Sequence, residues 1–178
     1  MNGIILYGSR YGASQQYAQA LEERTGLPAV SWEEVRDFGP FDTVIYLGGL
    51  YAGKTTGLAK TARRLPTDHP FRLLVATVGL ADPADEDNLL RIREALAKDL
   101  SPAIFVRTTH VHLRGAIDYA KLSLKHRVMM KGLCAVLRRK PPQERSADTQ
   151  TILDTYGQAV NLIDFDTLAP IQAWLAKE

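Results

Sequence analysis

A single cysteine, Cys134, stands in the 178-residue chain, so no internal disulfide can form. That suits a reducing cytoplasm, with Cys134 expected as a small buried hydrophobe. No apolar stretch reaches the ~18 residues that a membrane-spanning helix needs. The N-terminus lacks a charged segment followed by a long apolar one, so a secretory signal is not expected. The expected location is cytoplasmic, with contact at the inner face of a membrane as an option. No Gly-x-Ser-x-Gly elbow is present to carry a serine hydrolase. His69, His110, His112 and His126 share no ligand-like spacing with carboxylates or the cysteine, so no metal site is predicted. Only His110 and His112 would share one face of a strand. No acid–base pair or nucleophile set stands out, and no catalytic residue is assigned.

What is present is a chain with 46% hydrophobic residues, enough for the core of one globular domain. The net charge of +2 hides an uneven distribution. Tyr119 to Lys140 carries seven bases and no acid, leaving fifteen bases against twenty acids elsewhere. On a helical wheel Leu122, Met129, Met130, Leu133, Val136 and Leu137 gather on one side. Lys121, Lys125, Arg127, Lys131, Arg138 and Arg139 gather largely on the other, with His126 out of place. Such a helix can dock on its own domain with a solvated basic face, lie on an anionic membrane surface, or meet an acidic partner. Nucleic acid is not an expected partner, because the segment lacks the aromatics that stack on bases.

The organising stretch is the first turn. An apolar run, Gly3 to Tyr7, leads into Gly8-Ser9-Arg10-Tyr11-Gly12-Ala13-Ser14, and a helix-like stretch from Ser14 to Arg24 leads out. Strand, hydroxyl- and glycine-rich loop, then helix makes an anion site, because the first N–H groups of a helix have no carbonyl partner. The hydroxyl-x-x-Gly-x-hydroxyl spacing differs from a dinucleotide turn and fits one phosphate monoester, the end group of a mononucleotide.

Farther on, Pro28 to Ser31 reads as a weak strand, and Ser31-Trp32-Glu33-Glu34 as a capping box opening a short helix. Thr43 to Leu47 is a strand apolar on both faces. A helix is predicted from about Thr56 to Leu65, a strand over Phe71 to Val78, and a helix after the acidic loop Asp82 to Asp87. Ala103 to Val106 is ambiguous between strand and helix. His110 to Leu113 is read as the last strand, and an Asp166-capped helix closes the chain. Alternating strands and helices imply a parallel sheet covered on both faces, with ligands at the strands' carboxyl ends. Residues 8–14, 48–53 and 77–82 are the three loops that would converge there.

Gly48-Gly49-Leu50-Tyr51-Ala52-Gly53-Lys54-Thr55 also matches the Walker A pattern letter for letter. A nucleotide hydrolase needs an acid at a neighbouring strand end to hold magnesium, and none of the strands here ends in one. A Walker-type nucleotide binder is the outside alternative.

Ser9-Arg10-Tyr11-Gly12-Ala13-Ser14 resembles the flavodoxin phosphate loop T-x-T-G-x-T, with Tyr11 at the middle hydroxyl position. The chain is similar to flavodoxin-domain proteins related to the quinone-dependent protoporphyrinogen oxidases, through Gly8 to Ser14, Gly115-Ala116-Ile117-Asp118-Tyr119 and the basic segment after them. The resemblance implies a flavodoxin-like doubly wound parallel five-stranded sheet, order 2-1-3-4-5, with helices on both faces. It implies a single domain over 1–178, with a basic amphipathic helical insertion at about 119–141 before the C-terminal helix. The implied cofactor is FMN. Ser9, Arg10, Tyr11, Gly12, Ala13 and Ser14 would hold its phosphate. Leu50, Tyr51, Ala52 and Gly53 would flank its ring, and Val78, Gly79, Leu80, Ala81 and Asp82 would border the other face and edge. The implied role is electron transfer with a partner redox protein or a quinone, or an oxidase of the protoporphyrinogen type.

Overall fold

Neighbouring residues of the first strand, β1 (Gly3–Gly8), face opposite layers. Ile5 enters one apolar cluster, while Ile4 and Leu6 enter a second on the other side of the sheet. The computed structural model describes residues 2–51, 53–66 and 70–177, with no side-chain account at 147 and 148. Two residues singled out in the sequence, Ala52 and His69, lie outside the described residues.

β1 pairs in parallel with β2 (Ala29–Ser31) and β3 (Thr43–Tyr51). β3 continues to β5 (Arg72–Gly79), and β5 to β6 (Thr108–Arg114), both parallel. The five parallel strands, counted among themselves, therefore run 2-1-3-4-5, as the resemblance implies. The sheet is nonetheless six-stranded, because β4 (Lys54–Thr55) turns back antiparallel on the end of β3. The described residues also contain a separate two-stranded sheet of β7 (Ala116–Asp118) and β8 (Ala159–Asn161). His110 to Leu113 is thus the last strand of the main sheet but not of the chain.

One face is covered by α1 (Ala13–Thr25) and α7 (Ala169–Leu175), whose Tyr17, Leu21, Ile171 and Leu175 pack on Ile5, Ile45 and Leu74. The other is covered by α2 (Leu58–Ala62) and α3 (Glu86–Asp99), which place Leu58 and Leu96 against Leu6, Val44, Tyr46 and Val75. Both faces of the central strands are therefore apolar, which is why they read as continuous runs. The ambiguous stretch near Ala103 is a short helix, α4 (Pro102–Phe105), with Ser101 as its cap.

Three local expectations are corrected. Residues 32–34 form a turn rather than a capped helix. There Arg64 binds the carbonyls of Trp32 and Val35, and Trp32 packs on the second cluster, so tertiary contacts override the local signal. The helix expected from Thr56 starts only at Leu58. Thr56 is held by its N–H and hydroxyl on the Gly49 carbonyl, and Gly57 at φ 81° sets the helix start. At the C-terminus the cap is Asp164, not Asp166. Its side chain accepts from the Asp166 N–H, opening a 3-10 turn over Phe165–Leu168 that leads into α7.

Beyond the sheet, a 3-10 turn at Tyr119–Lys121 leads to α5 (Leu124–Arg138), followed by α6 (Ala147–Asp154). Cys134, on the inner side of α5, is a buried free thiol, and burial pushes its pKa up. Among the described residues no helix is long and apolar enough to cross a membrane.

Candidate functional site

The turn from β1 into α1 is shaped by Gly12, which sits at φ 93° in the left-handed region. The Ser9 hydroxyl accepts from the Gly12 N–H at 3.0 Å, folding the loop on itself. The first α-helical bond runs from the Gln16 N–H to the Gly12 carbonyl, so the amides of residues 13–15 precede it. No side chain caps this helix, and no acid occupies its first turn. The positive end of the helix dipole is thus left open. Ser14, in the first turn of this helix, is 1% exposed, and its buried hydroxyl has no hydrogen-bond partner among the described residues. A buried hydroxyl with nothing to bond is costly unless a ligand supplies the partner.

Ser14 lines a cavity of about 550 Å³ at the carboxyl ends of the parallel strands. The cavity takes in Ser9, Arg10, Tyr11 and Ala13 from the first loop, and Gly49, Leu50, Tyr51 and Gly53 from the hairpin of β3 and β4. Val78, Gly79, Leu80 and Ala81 line it from the end of β5. The three sequence-predicted loops therefore do converge on one space. Two predicted residues stand off it. Gly12 shapes the loop from behind. Asp82 is a turn residue: its carboxylate accepts from the Ala84 N–H at 2.9 Å, and its carbonyl from the Asp85 N–H at 3.2 Å.

The remaining wall comes from residues that the sequence did not assign to the site. Asn88, Arg91 and Ile92 contribute from α3, and Ile117, Leu122 and Ile152 from the region beyond the sheet. His126, Met129, Met130 and Leu133 contribute from α5, which lies against the cavity and touches the first loop. His126 is 7% exposed and makes that junction. Its Nε2 lies 3.3 Å from Arg10 Nη1, and its Nδ1 bonds the Tyr11 hydroxyl. A guanidinium only donates, so Nε2 accepts, and the neutral ring carries its proton on Nδ1 toward Tyr11. Burial, then the charges of Arg10 and Lys125, lower the His126 pKa and favour that neutral state. The wheel held the clue, since His126 was the polar residue that broke the pattern.

Tyr51 sits within the same junction. The Arg10 guanidinium lies 4.8 Å from its ring centre, the His126 ring 4.4 Å away, and the Met129 sulfur 3.2 Å from its hydroxyl. A second histidine braces the loop after β5. His112 Nε2 donates to the Ala81 carbonyl at 3.2 Å, and its Nδ1 accepts from the Thr77 hydroxyl at 2.8 Å. Burial pushes its pKa down to about 4. His110 instead stacks beside Phe105. Among the described residues no group of three or more His, Cys, Asp or Glu is arranged to hold a metal.

The Walker letters form a β-hairpin, not a loop that opens a helix. Leu50 and Tyr51 pair with Thr55 and Lys54, Lys54 is exposed, and the Thr55 N–H bonds the Asp99 carboxylate at 3.3 Å. A phosphate-wrapping loop needs successive free amides at a helix start, and this hairpin commits its backbone to strand pairing.

The open start of α1 lies where strand order reverses, beside a largely apolar cavity, and this is where doubly wound sheets take their ligands. A flavodoxin-domain family model matches residues 4–143, and the chain belongs to that family. Flavodoxin domains characteristically bind a flavin and serve redox chemistry. A direct comparison with curated proteins finds no match.

Proposed function

We propose that the cavity binds FMN and that the protein exchanges electrons between this flavin and a partner redox protein or a quinone. The observation that carries the reading is Ser14. Its hydroxyl is buried without a partner among the described residues at the open start of α1, where a phosphate monoester would take it as a donor. Away from the nest the lining turns apolar, with Leu50, Val78, Leu80, Ile92, Met129 and Met130 suited to a flat ring. The apolar lining beyond the first loop favours one phosphate attached to a planar apolar body over a triphosphate.

A bound flavin would supply the electron chemistry, while the chain binds, orients and shields. The first loop holds the anion. The Tyr51 hairpin and the 78–81 segment bracket the ring, with Ala81 held by His112. The α5 side, through Met130, Leu133, Ile117 and Ile152, excludes water and offers an apolar approach that suits a quinone.

The test is a titration of flavin-free protein with FMN, riboflavin and magnesium ATP, followed by flavin fluorescence and visible absorption. Quenched, tightly bound FMN with weaker riboflavin binding and no ATP binding is the expected result. Protein that ignores FMN, or that binds ATP in its place, overturns the proposal.

A further inference from the structure

We propose that the outward face of α5 docks onto an anionic lipid surface. This does not depend on what fills the cavity. α5 has two apolar faces where the wheel suggested one. Its inner face, with His126, Met130, Cys134 and Leu137, turns to the body of the protein. Its outer face carries Leu124, Val128 and Val136, exposed by 79%, 65% and 57%. Those three sit at positions i, i+4 and i+12, with Gly132 between them, so they form one stripe along the helix. A Cβ added at Gly132 would meet nothing within 4 Å, so nothing among the described residues covers the middle of that stripe.

Charge completes the pattern. No acidic residue occurs from Tyr119 to Gln143. Lys125, Lys131, Arg139 and Lys140 are exposed and have no ion-pair partner among the described residues. A helix with aliphatic side chains outward and bases among and beside them is complementary to headgroups that offer both apolar depth and negative charge. A protein partner fits less well. The stripe is flat and aliphatic, without the aromatic anchors or pockets that carry protein–protein affinity. Docked this way, α5 lies between lipid and cavity.

The experiment is co-sedimentation of the full chain with vesicles of phosphatidylcholine, with and without about one-third phosphatidylglycerol. Binding is expected only to the anionic vesicles at low salt, and it should fade at ~0.5 M salt. Lys125→Gln, Lys131→Gln and Arg139→Gln together should weaken partitioning on the order of 100-fold, each base being worth about fivefold. Leu124→Ser with Val128→Ser should weaken it at least ~10-fold while leaving the salt dependence in place. Circular dichroism on each variant establishes that the fold is kept. Three outcomes overturn the proposal. One is no binding to anionic vesicles at low salt. Another is binding that the serine variant leaves unchanged, which is plain charge adsorption. The last is a dimer in sedimentation equilibrium that the serine variant abolishes while no vesicle binding occurs, which assigns the face to a second copy of the chain.

Discussion

Removing one oxygen atom at Ser14 should push ligand affinity and stability of the empty protein in opposite directions. In Ser14→Ala the backbone amides of the nest remain, but the buried hydroxyl goes. A hydrogen bond to a charged group contributes about 1.5–3 kcal/mol, so FMN should bind roughly 10- to 100-fold more weakly. Riboflavin has no phosphate and should bind as before. The empty protein gains by the same change, because an unpartnered buried hydroxyl costs about 1 kcal/mol or more. For a chain of this size that corresponds to a melting point about 2–4 °C higher. Fluorescence titration with both flavins and calorimetry of the flavin-free protein read the two effects. Equal losses for FMN and riboflavin would show that Ser14 does not face the phosphate. A lower melting point would show that the hydroxyl has a structural partner.

Two further predictions concern the frame of the site. A Cβ at Gly8 would sit 2.1 Å from the Thr56 carbonyl oxygen, so Gly8→Ala must force β1 and the β4–α2 link apart. A loss of about 3 kcal/mol or more is expected in urea unfolding, and a loss below ~0.5 kcal/mol would refute the close approach. His112 titrates at about 4 in the folded chain, against an ordinary value of 6.5. Its contribution is therefore complete above pH ~6.5 and is lost as pH falls toward 4, where the unfolded state takes up the proton first. The full effect is about 3 kcal/mol. Urea midpoints for wild type and His112→Asn should converge as pH is lowered through this window, and parallel curves would exclude the assignment.

The main sheet was legible because its strands are apolar on both faces. Thr43 to Leu47 needed no context to be read. The first loop was equally plain, since its chemistry depends on local backbone: a strand, a glycine at positive φ and a helix start. What failed were signals that share their letters with other structures. Gly48 to Thr55 spells a phosphate loop but pairs as a hairpin. Ser31 to Glu34 spells a cap, but Trp32 is drawn to the second core cluster, and Arg64 binds the backbone carbonyls at 32 and 35. The α5 side of the cavity could not be read from local pattern, because its link to the first loop joins residues 10 and 11 to residue 126. β7 and β8, three residues each, carry too short an alternation to declare themselves.

The far end of the chain has a bearing on how this protein can be dissected. The family match stops at residue 143, yet Leu168, Ile171 and Leu175 are 0%, 0% and 9% exposed in the cluster that also holds Ile5, Tyr17 and Leu21. Tyr17 donates to the Arg114 carbonyl at 2.8 Å and, across that boundary, accepts from the Asp164 N–H at 3.0 Å. Burial of those three aliphatic side chains alone is worth about 5–9 kcal/mol, comparable to the whole stability of an ordinary domain. A fragment cut where the sequence family ends would keep every residue of the anion nest and lose the packing that holds α1 in place. Inheritance and cooperativity draw their borders at different points here, and the ligand-binding loop depends on the second.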